Sequence, residues 1–319
     1  MTPQLSIIIP TYNRKDILLT TLKGYEQQTA RAEILEILVV DDGSTDGTGV
    51  AIADFALASP TTIRYFANPK KGPGSARNYG ILAARGALLL LGDDDIVPAP
   101  TLVSEHLAWN QRYPADNFAI MGHVSWSPEV HPTPFMEWLG LDGVLFGFGR
   151  LVPGQMVGFE FSYFCNTTIK RDFLISKGMF DENFRAYGYE DTELAYRLTN
   201  QGLRVIYNPQ AIGYHYKRFS YAAACRRQEM LYSAMVLFET TEAGRALKEQ
   251  ASQAKPFTLQ RRLMMAVAKV ITPFLTPLIP LLDTRVRLPR RVYSLLYFFH
   301  VAPRAQARFE RSWKRQQSM

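Results

Sequence analysis

Ala87-Leu88-Leu89-Leu90-Leu91-Gly92-Asp93-Asp94-Asp95 is a short apolar run that ends in three consecutive carboxylates. An apolar run of this length is typical of a strand that is buried on both faces, as in a parallel sheet covered by helices. Three like charges this close together disfavour joint ionisation unless a cation neutralises them. The segment therefore predicts a buried strand whose carboxyl end forms a polar site.

Apolar runs and helical patterns alternate on both sides of this segment. The predicted strands are Leu5–Pro10, Ile34–Val40, Thr62–Phe66, Ala87–Leu91, Arg204–Tyr207 and the segment Ala211–Tyr216. The predicted helices are Asn13–Gln28, with Asn13 as a cap, Gly49–Ala58, Gly74–Ala84 and Glu190–Gln201. This alternation predicts an α/β fold with a mostly parallel sheet flanked by helices.

Three polar segments follow predicted strands directly: Pro10–Asn13, Asp41–Asp46 and Asp93–Asp95. Ligands bind beyond the carboxyl ends of the strands in such sheets, so we expect the three segments to line one crevice. The carboxylates at Asp93–Asp95 indicate Mg²⁺ or Mn²⁺ rather than zinc, because no Cys/His set is nearby. The alternative is a solvated acidic turn that caps the next helix.

A basic loop leads into the third predicted helix, with the sequence Lys70-Lys71-Gly72-Pro73-Gly74-Ser75-Ala76-Arg77-Asn78. Helix N-termini and basic side chains attract phosphate, so this loop could close over a nucleotide. The same Gly-Pro-Gly pattern also marks ordinary surface turns. Neither a Walker loop nor the glycine pattern of dinucleotide-binding folds is present in the sequence.

Together, these segments resemble the family 2 glycosyltransferases, inverting enzymes of the GT-A fold. Five motifs carry the resemblance in order: Ile9–Arg14 (IPTYNR), Val39–Asp46 (VVDDGSTD), Gly74–Asn78 (GSARN), Asp93–Asp95 (DDD) and Gly188–Leu198 (GYEDTELAYRL). The resemblance covers roughly residues 4–220. It implies a nucleotide-sugar-binding half at 1–120 and an acceptor-binding half at 121–220. It does not extend to residues 221–319, whose composition predicts a helical, basic and apolar extension that associates with a membrane or with a second copy of the chain.

The resemblance also implies roles for individual residues. Pro10, Tyr12 and Arg14 would border the nucleotide base, Asp42 would bond its edge, and Arg77 would lie near the diphosphate. Asp93 would bind the donor as part of the family's Asp-x-Asp region, which Asp93–Asp95 match. Asp94, Asp95 and His215 would hold the metal. Asp191 would be the catalytic base, with Glu190 close to the acceptor. Many family members have an aspartate where this chain has Gly92, which leaves the register of metal ligation within the triplet open.

Simpler interpretations exist for the residues of the second half. Acidic side chains such as Glu190 and Asp191 are favoured in the first turn of any helix by the helix dipole. His215 lies between Tyr214 and Tyr216 in the sequence, as a packed structural histidine often does. The upstream motifs favour a catalytic role for the two acidic residues.

The implied reaction moves a sugar from a nucleotide-diphosphate sugar to a hydroxyl of a glycan or lipid-linked acceptor, in polysaccharide or cell-surface glycan biosynthesis. One alternative is a nucleotidyltransferase on a related sheet; the sequence has no N-terminal Gly-rich activation loop followed by an Arg-Lys pair, which argues against it. Another is a non-catalytic glycan-binding or scaffold module with the same fold. The intact Asp94, Asp95 and Asp191 argue against that module.

The net charge of +7 is unevenly distributed along the 319 residues. Residues 255–319 carry 13 Lys and Arg against two acidic residues, a net of +11, whereas residues 1–254 carry a net of −4. This pattern argues against a nucleic-acid partner and predicts an acidic enzyme body with a basic anchoring segment.

The basic segment also contains long apolar runs. Its longest charge-free piece, Val270–Leu282, has 13 residues and three prolines, whereas a membrane span needs about 20 apolar residues. We expect peripheral contact of residues 255–319 with the inner face of a membrane. The alternative is a helical pair that packs on the catalytic domain or on a second copy of the chain. Two widely spaced cysteines and the lack of a signal-peptide pattern predict a cytoplasmic protein.

Overall fold

The computed structural model describes residues 5–141, 145–185, 187–253, 270 and 273–297. The chain divides into two compact units. The sheet unit contains residues 1–129, 150–185 and 190–217, and the helical unit contains residues 130–149, 186–189 and 218–319.

The sheet unit is built on an eight-stranded sheet in the described part of the chain. Its strands are β1 (Leu5–Thr11), β2 (Ile34–Asp41), β3 (Ile63–Ala67), β4 (Leu88–Gly92), β5 (Ile96–Pro98), β6 (Phe118–Trp126), β7 (Asn166–Lys170) and β8 (Arg204–His215). They lie in the order β3-β2-β1-β4-β7-β6-β8-β5. Strands β1 to β4 pair in parallel, and β7 pairs antiparallel with both β4 and β6.

Helices connect and cover these strands. Those of the sheet unit are α1 (Lys15–Glu26), α2 (Thr48–Ala58), α3 (Pro73–Ala83), α4 (Leu102–Arg112), α6 (Arg171–Lys177) and α7 (Glu190–Asn200). Strands β1, β2 and β4 are almost entirely buried, and their apolar side chains form one cluster with those of α1, α2 and α4. Burial on both faces explains why these strands read as continuous apolar runs.

The predicted α/β fold is confirmed, and most predicted elements of the first half match the observed ones within two residues. The prediction of Asn13 as a helix cap is wrong: Arg14 is the cap residue and makes no side-chain cap bond. Asn13 has a φ of 52°, and its side-chain oxygen instead accepts a hydrogen bond from Thr45 N at 2.7 Å. Its amide oxygen therefore joins the loop after β1 to the turn after β2.

The two segments predicted around Pro209 form one strand, β8. The pairing of β8 with β6 shifts between Gly122 and His123, whose partners are Asn208 and Ile212. Proline cannot donate to a ladder and is tolerated at such irregularities, so it interrupts the sequence pattern without ending the strand. The predicted boundary between residues 120 and 121 lies inside β6, and the functional division into two halves stays a prediction.

The helical unit contains α5 (Pro134–Leu141), α8 (Tyr221–Thr240), α9 (Glu242–Gln253), a 3-10 helix at Thr276–Asp283 and a short helix at Arg290–Leu296. Phe135 and Trp138 of α5 pack their rings against Tyr293 of the last helix. No helix within the described ranges is long and apolar enough to cross a membrane. Much of the predicted anchoring segment, residues 255–269, 271–272 and 298–319, lies outside the described residues.

Candidate active site

The carboxylates after β4 meet the end of the neighbouring strand β1. Asp94 accepts hydrogen bonds from Thr11 Oγ1 and from Arg14 Nη1, each at 2.8 Å. The same Arg14 nitrogen donates to Asp95 Oδ2 at 2.8 Å, and the backbone oxygen of Asp94 accepts from Thr21 Oγ1. One guanidinium nitrogen therefore bridges two of the three carboxylates.

This arrangement shifts the pKa values of both partners. Burial raises the pKa of Asp94 to about 6; Arg14 opposes the rise, and Asp95 adds to it. Burial alone would lower the pKa of Arg14, but Asp95 and Asp94 outweigh it and raise that pKa. Arg14 therefore supplies positive charge beside these carboxylates, and the metal site expected there stays a prediction.

The two aspartates after β2 have different partners. Asp41 is buried; its Oδ1 accepts from Gly43 N and Ser44 N, and its Oδ2 accepts from Tyr65 OH at 2.7 Å. Asp41 therefore shapes the turn.

Asp42 instead holds the basic loop. Its Oδ1 accepts from Asn68 Nδ2 at 2.7 Å, and both of its carboxylate oxygens accept from Gly72 N at 3.1 Å. Asp42 N donates to Thr11 O at 2.9 Å, which places this aspartate beside the end of β1. Pro10 is half-buried at that edge, and Tyr12 is 54% exposed.

A third group of charges surrounds Arg77, a buried residue of α3. Its Nη2 donates to Asp93 Oδ1 at 2.6 Å, and its Nη1 lies 3.9 Å from Glu190 Oε1. Asp191 lies at the start of α7; its Oδ2 accepts from Phe164 N at 3.2 Å, and its buried Oδ1 has no hydrogen-bond partner among the described residues. Arg77 thus lies between the acidic end of β4 and the acidic start of α7.

The pKa of Asp191 is raised to about 7. Burial is the main cause; Arg77 lowers this pKa, whereas Glu190 and Asp93 raise it. A carboxyl group with a pKa near neutrality can both take up and release a proton under physiological conditions, as a general base must.

His215 ends β8, the strand that pairs with β5. Its Nε2 lies 3.8 Å from Asp95 Oδ1, and its ring meets Trp126 edge-on. Burial lowers its pKa, and Asp95 acts in the opposite direction. A neutral imidazole beside a carboxylate is a suitable ligand pair for a divalent cation. Within the described ranges, no group of three or more His, Cys, Asp or Glu side chains is arranged to hold a metal.

The structure brings together Arg14 with Asp94 and Asp95, His215 with Asp95, and Arg77 with Asp93 and Glu190. It also adds three residues that were not among the predicted site residues: Thr11, Thr21 and Asn68. Thr11 lies inside the first motif and in the polar segment after the first predicted strand, and both signals mark it. The contacts of Thr21 and Asn68 depend on folding, and no local pattern marks them.

Comparisons with known proteins identify relatives of this chain. Residues 6–139 match the family model described as glycosyl transferase family 2. The chain is 30% identical over 235 residues to the validoxylamine A glucosyltransferase of Streptomyces hygroscopicus subsp. jinggangensis, an alignment that covers 66% of this chain and 55% of that protein. It is 27% identical over 241 residues to the chondroitin synthase of Escherichia coli, covering 66% of this chain and 34% of that one. This chain therefore spans little more than half of the more similar of these two relatives.

A solved structure shares the fold at low sequence identity. The mannosyltransferase from Pyrobaculum calidifontis in complex with GDP-Man and Mn²⁺ superposes with a TM-score of 0.56 at 18% identity, covering 93% of this chain and 87% of that one. The likeness shows that this chain shares the fold of that transferase. Residues 6–139, which contain four of the five motifs, match glycosyl transferase family 2, and the chain has a GT-A-type fold.

Proposed function

We propose that this protein transfers a sugar from a nucleotide-diphosphate sugar to an acceptor hydroxyl with inversion, and that Asp191 is the general base. The observation that carries the proposal is a buried carboxylate with one unpartnered oxygen among the described residues and a pKa of about 7, in the same unit as the acidic strand ends. The family match and the transferases that share the fold support it.

The donor would occupy the crevice at the ends of β1, β2 and β4. Asp42 anchors the basic loop there, and Pro10 and Tyr12 would border the base, with Arg14 moving toward it from Asp94 and Asp95. Arg77 and Asp93 form the wall on the diphosphate side. Arg14 is 39% exposed, so its side chain has room to move from the carboxylates toward a bound donor.

The side chains at the acidic strand end suit a divalent cation, Mn²⁺ or Mg²⁺. Such ions are commonly held by one or two carboxylates together with substrate phosphates and water, and Asp94, Asp95 and His215 offer suitable atoms. When bound, the cation would neutralise charge on the departing diphosphate. Burial and the neighbouring Asp95 raise the pKa of Asp94, and a bound cation would oppose both effects.

The chain's own residues perform the proton transfer. The acceptor hydroxyl attacks the anomeric carbon as the bond from that carbon to the diphosphate oxygen breaks, and the hydroxyl proton passes to Asp191. Glu190 lies beside the base, where it would orient the acceptor. A single displacement of this kind inverts the anomeric configuration.

A screen for donor binding tests the proposal. We expect one nucleotide sugar to raise the melting temperature in the presence of Mn²⁺, because a ligand at 100 times its Kd stabilises the folded state by about 2.7 kcal/mol. Release of a nucleoside diphosphate on addition of acceptor would support sugar transfer. Release of inorganic diphosphate would indicate a nucleotidyltransferase, and donor binding without turnover across a broad acceptor panel would indicate a non-catalytic module.

We also propose that residues 255–319 hold the protein at the cytoplasmic face of a membrane, near a glycan or lipid-linked acceptor. The net charge of +11 in this segment supports the proposal, because anionic surfaces attract basic segments at about 1 kcal/mol per Lys or Arg. Deletion of residues 255–319 should move the protein from the membrane fraction to the supernatant. A full chain that is already in the supernatant as a dimer, and a deletion variant that is monomeric, would instead indicate a contact between two copies.

A further inference from the structure

Arg77 is a buried cation with unused hydrogen-bonding capacity. Its side chain is only 6% exposed, and its guanidinium carbon lies 5.5 Å from the centre of the Phe180 ring. Nη2 donates to Asp93, whereas Nε and Nη1 have no hydrogen-bond partner among the residues that the structure describes. Leaving a buried donor unpaired costs about 1–3 kcal/mol, so this arrangement calls for an explanation.

The complementary atom lies in the same cluster. Asp191 Oδ1 is buried and also lacks a partner within the described ranges. Arg77 and Asp191 interact electrostatically, since the charge of each affects the pKa of the other. A buried cation and a buried carboxylate thus each keep a free hydrogen-bonding atom in one cluster.

The balance of charge explains why they remain unpaired. Three carboxylates, those of Asp93, Glu190 and Asp191, act on the one guanidinium of Arg77. In the structure, that guanidinium makes its short contact with Asp93, on the side of the proposed donor site. One cation cannot neutralise three carboxylates. A carboxylate that does not pair with the cation has a higher pKa and keeps its proton more readily.

We propose that Arg77 is a positioning residue shared between Asp93 and Asp191, so that occupation of the donor side releases Arg77 toward the base and allows Asp191 to give up its proton. This inference rests on the proposed function of Asp191. A donor complex that draws Asp93 away from Arg77 leaves the guanidinium to Glu190 and Asp191. The base is then ready to accept the acceptor's proton only when a donor is in place.

The proposal predicts shifts of opposite sign in the pH dependence of kcat. The charged or titratable groups that act on Asp191 are Arg77 from α3, Glu190 from α7, Asp93 after β4 and Cys165 before β7. Arg77→Gln removes the cation and should move the acidic limb of the pH profile of kcat to higher pH by one unit or more. At pH values below the limb, this shift corresponds to a tenfold lower kcat. Asp93→Asn frees the cation and should move the limb to lower pH, whatever its effect on the maximal rate.

Arg77→Lys provides the conservative comparison, because it keeps the charge and loses the fork of donors. We expect the acidic limb of the kcat profile of Arg77→Lys to lie at nearly the same pH as that of the unaltered protein, with a lower maximal kcat. A purely structural role for Arg77 would lower the rate equally at all pH values. Equal losses at pH 6.5 and pH 9, or shifts of the same sign for Arg77→Gln and Asp93→Asn, would overturn the proposal. If Arg77→Gln does not fold, the pH profiles of Arg77→Lys and Asp93→Asn test the proposal.

A second measurement does not depend on turnover. The titration of Asp191 can be followed by NMR in protein labelled with ¹³C at the aspartate side-chain carboxyls, with Asp191→Asn identifying its resonance. The pKa of Asp191 should rise in Arg77→Gln and fall in Asp93→Asn. An unchanged titration would refute the link while leaving sugar transfer intact. The expected titration shifts without transfer from any donor would refute the proposed function while leaving the link intact.

Discussion

Asp191→Asn should abolish sugar transfer while leaving the protein folded and more stable above pH 7. The amide retains an oxygen that can accept from Phe164 N but cannot take up the acceptor's proton. General-base catalysis contributes typically 10²–10⁴-fold, so we expect a loss of at least about 100-fold in kcat. Donor binding should remain, because Asp191 lies on the acceptor side of the proposed site.

The effect on stability follows from the direction of the pKa shift. The pKa of Asp191 is raised from 3.8 to about 7, so the folded state holds this proton more tightly than the unfolded state. The stability from this group is fully present below about pH 4 and is lost as the pH rises through 7. The neutral amide escapes this loss, so the variant should gain on the order of a few kcal/mol at pH 8, relative to the unaltered protein, and little at pH 4.

Melting temperatures measured at pH 4.5 and pH 8 test this prediction. Asp172→Asn is a matched control, because Asp172 also lies in the first turn of a helix but its side chain is 93% exposed. The control should change neither activity nor the pH dependence of stability. An Asp191→Asn protein that transfers sugar at the original rate would refute its role as the base.

The first half of the fold could be predicted because burial and periodicity agree there. Strands β1, β2 and β4 are buried on both faces and therefore appear as unbroken apolar runs in the sequence. Strand β7 could not be found in this way, because it buries the polar side chains of Thr167 and Thr168. Thr168 accepts from Asn110 Nδ2 at 2.7 Å, so its environment is set by a residue 58 positions away.

The meeting of the strand ends could be predicted from the sequence, but the contacts made there could not. The convergence of the strand ends follows from topology, and the structure places Asp42, Thr11 and Asp94 together accordingly. The partners of Arg14 and Arg77 were not evident, because a long cation can reach several carboxylates and folding decides which. The resemblance implied a base-side position for Arg14, whereas in the structure its Nη1 bridges Asp94 and Asp95.

Asp94→Asn should abolish donor binding, and with it transfer, in a protein that still folds. The amide keeps the size of the side chain and an oxygen for Thr11 Oγ1, but it removes a charge that the proposed cation and Arg14 both need. Loss of a residue that holds the donor should remove the Mn²⁺-dependent rise in melting temperature. Asp191→Asn should retain that rise, so the two variants separate donor binding from proton transfer.

Thr11→Val is the companion to this variant, because it deletes the hydroxyl that donates to Asp94 without changing the charge of the site. Loss of one hydrogen bond to a charged group costs about 1.5–3 kcal/mol, but the charge of Asp94 remains, so Thr11→Val should keep the donor-dependent rise. Thermal melting with and without the donor and Mn²⁺ distinguishes these cases. An Asp94→Asn protein that is stabilised by the donor as strongly as the original would place the donor-binding charge on Asp93 or Asp95, which Arg77 and Arg14 respectively hold in this structure.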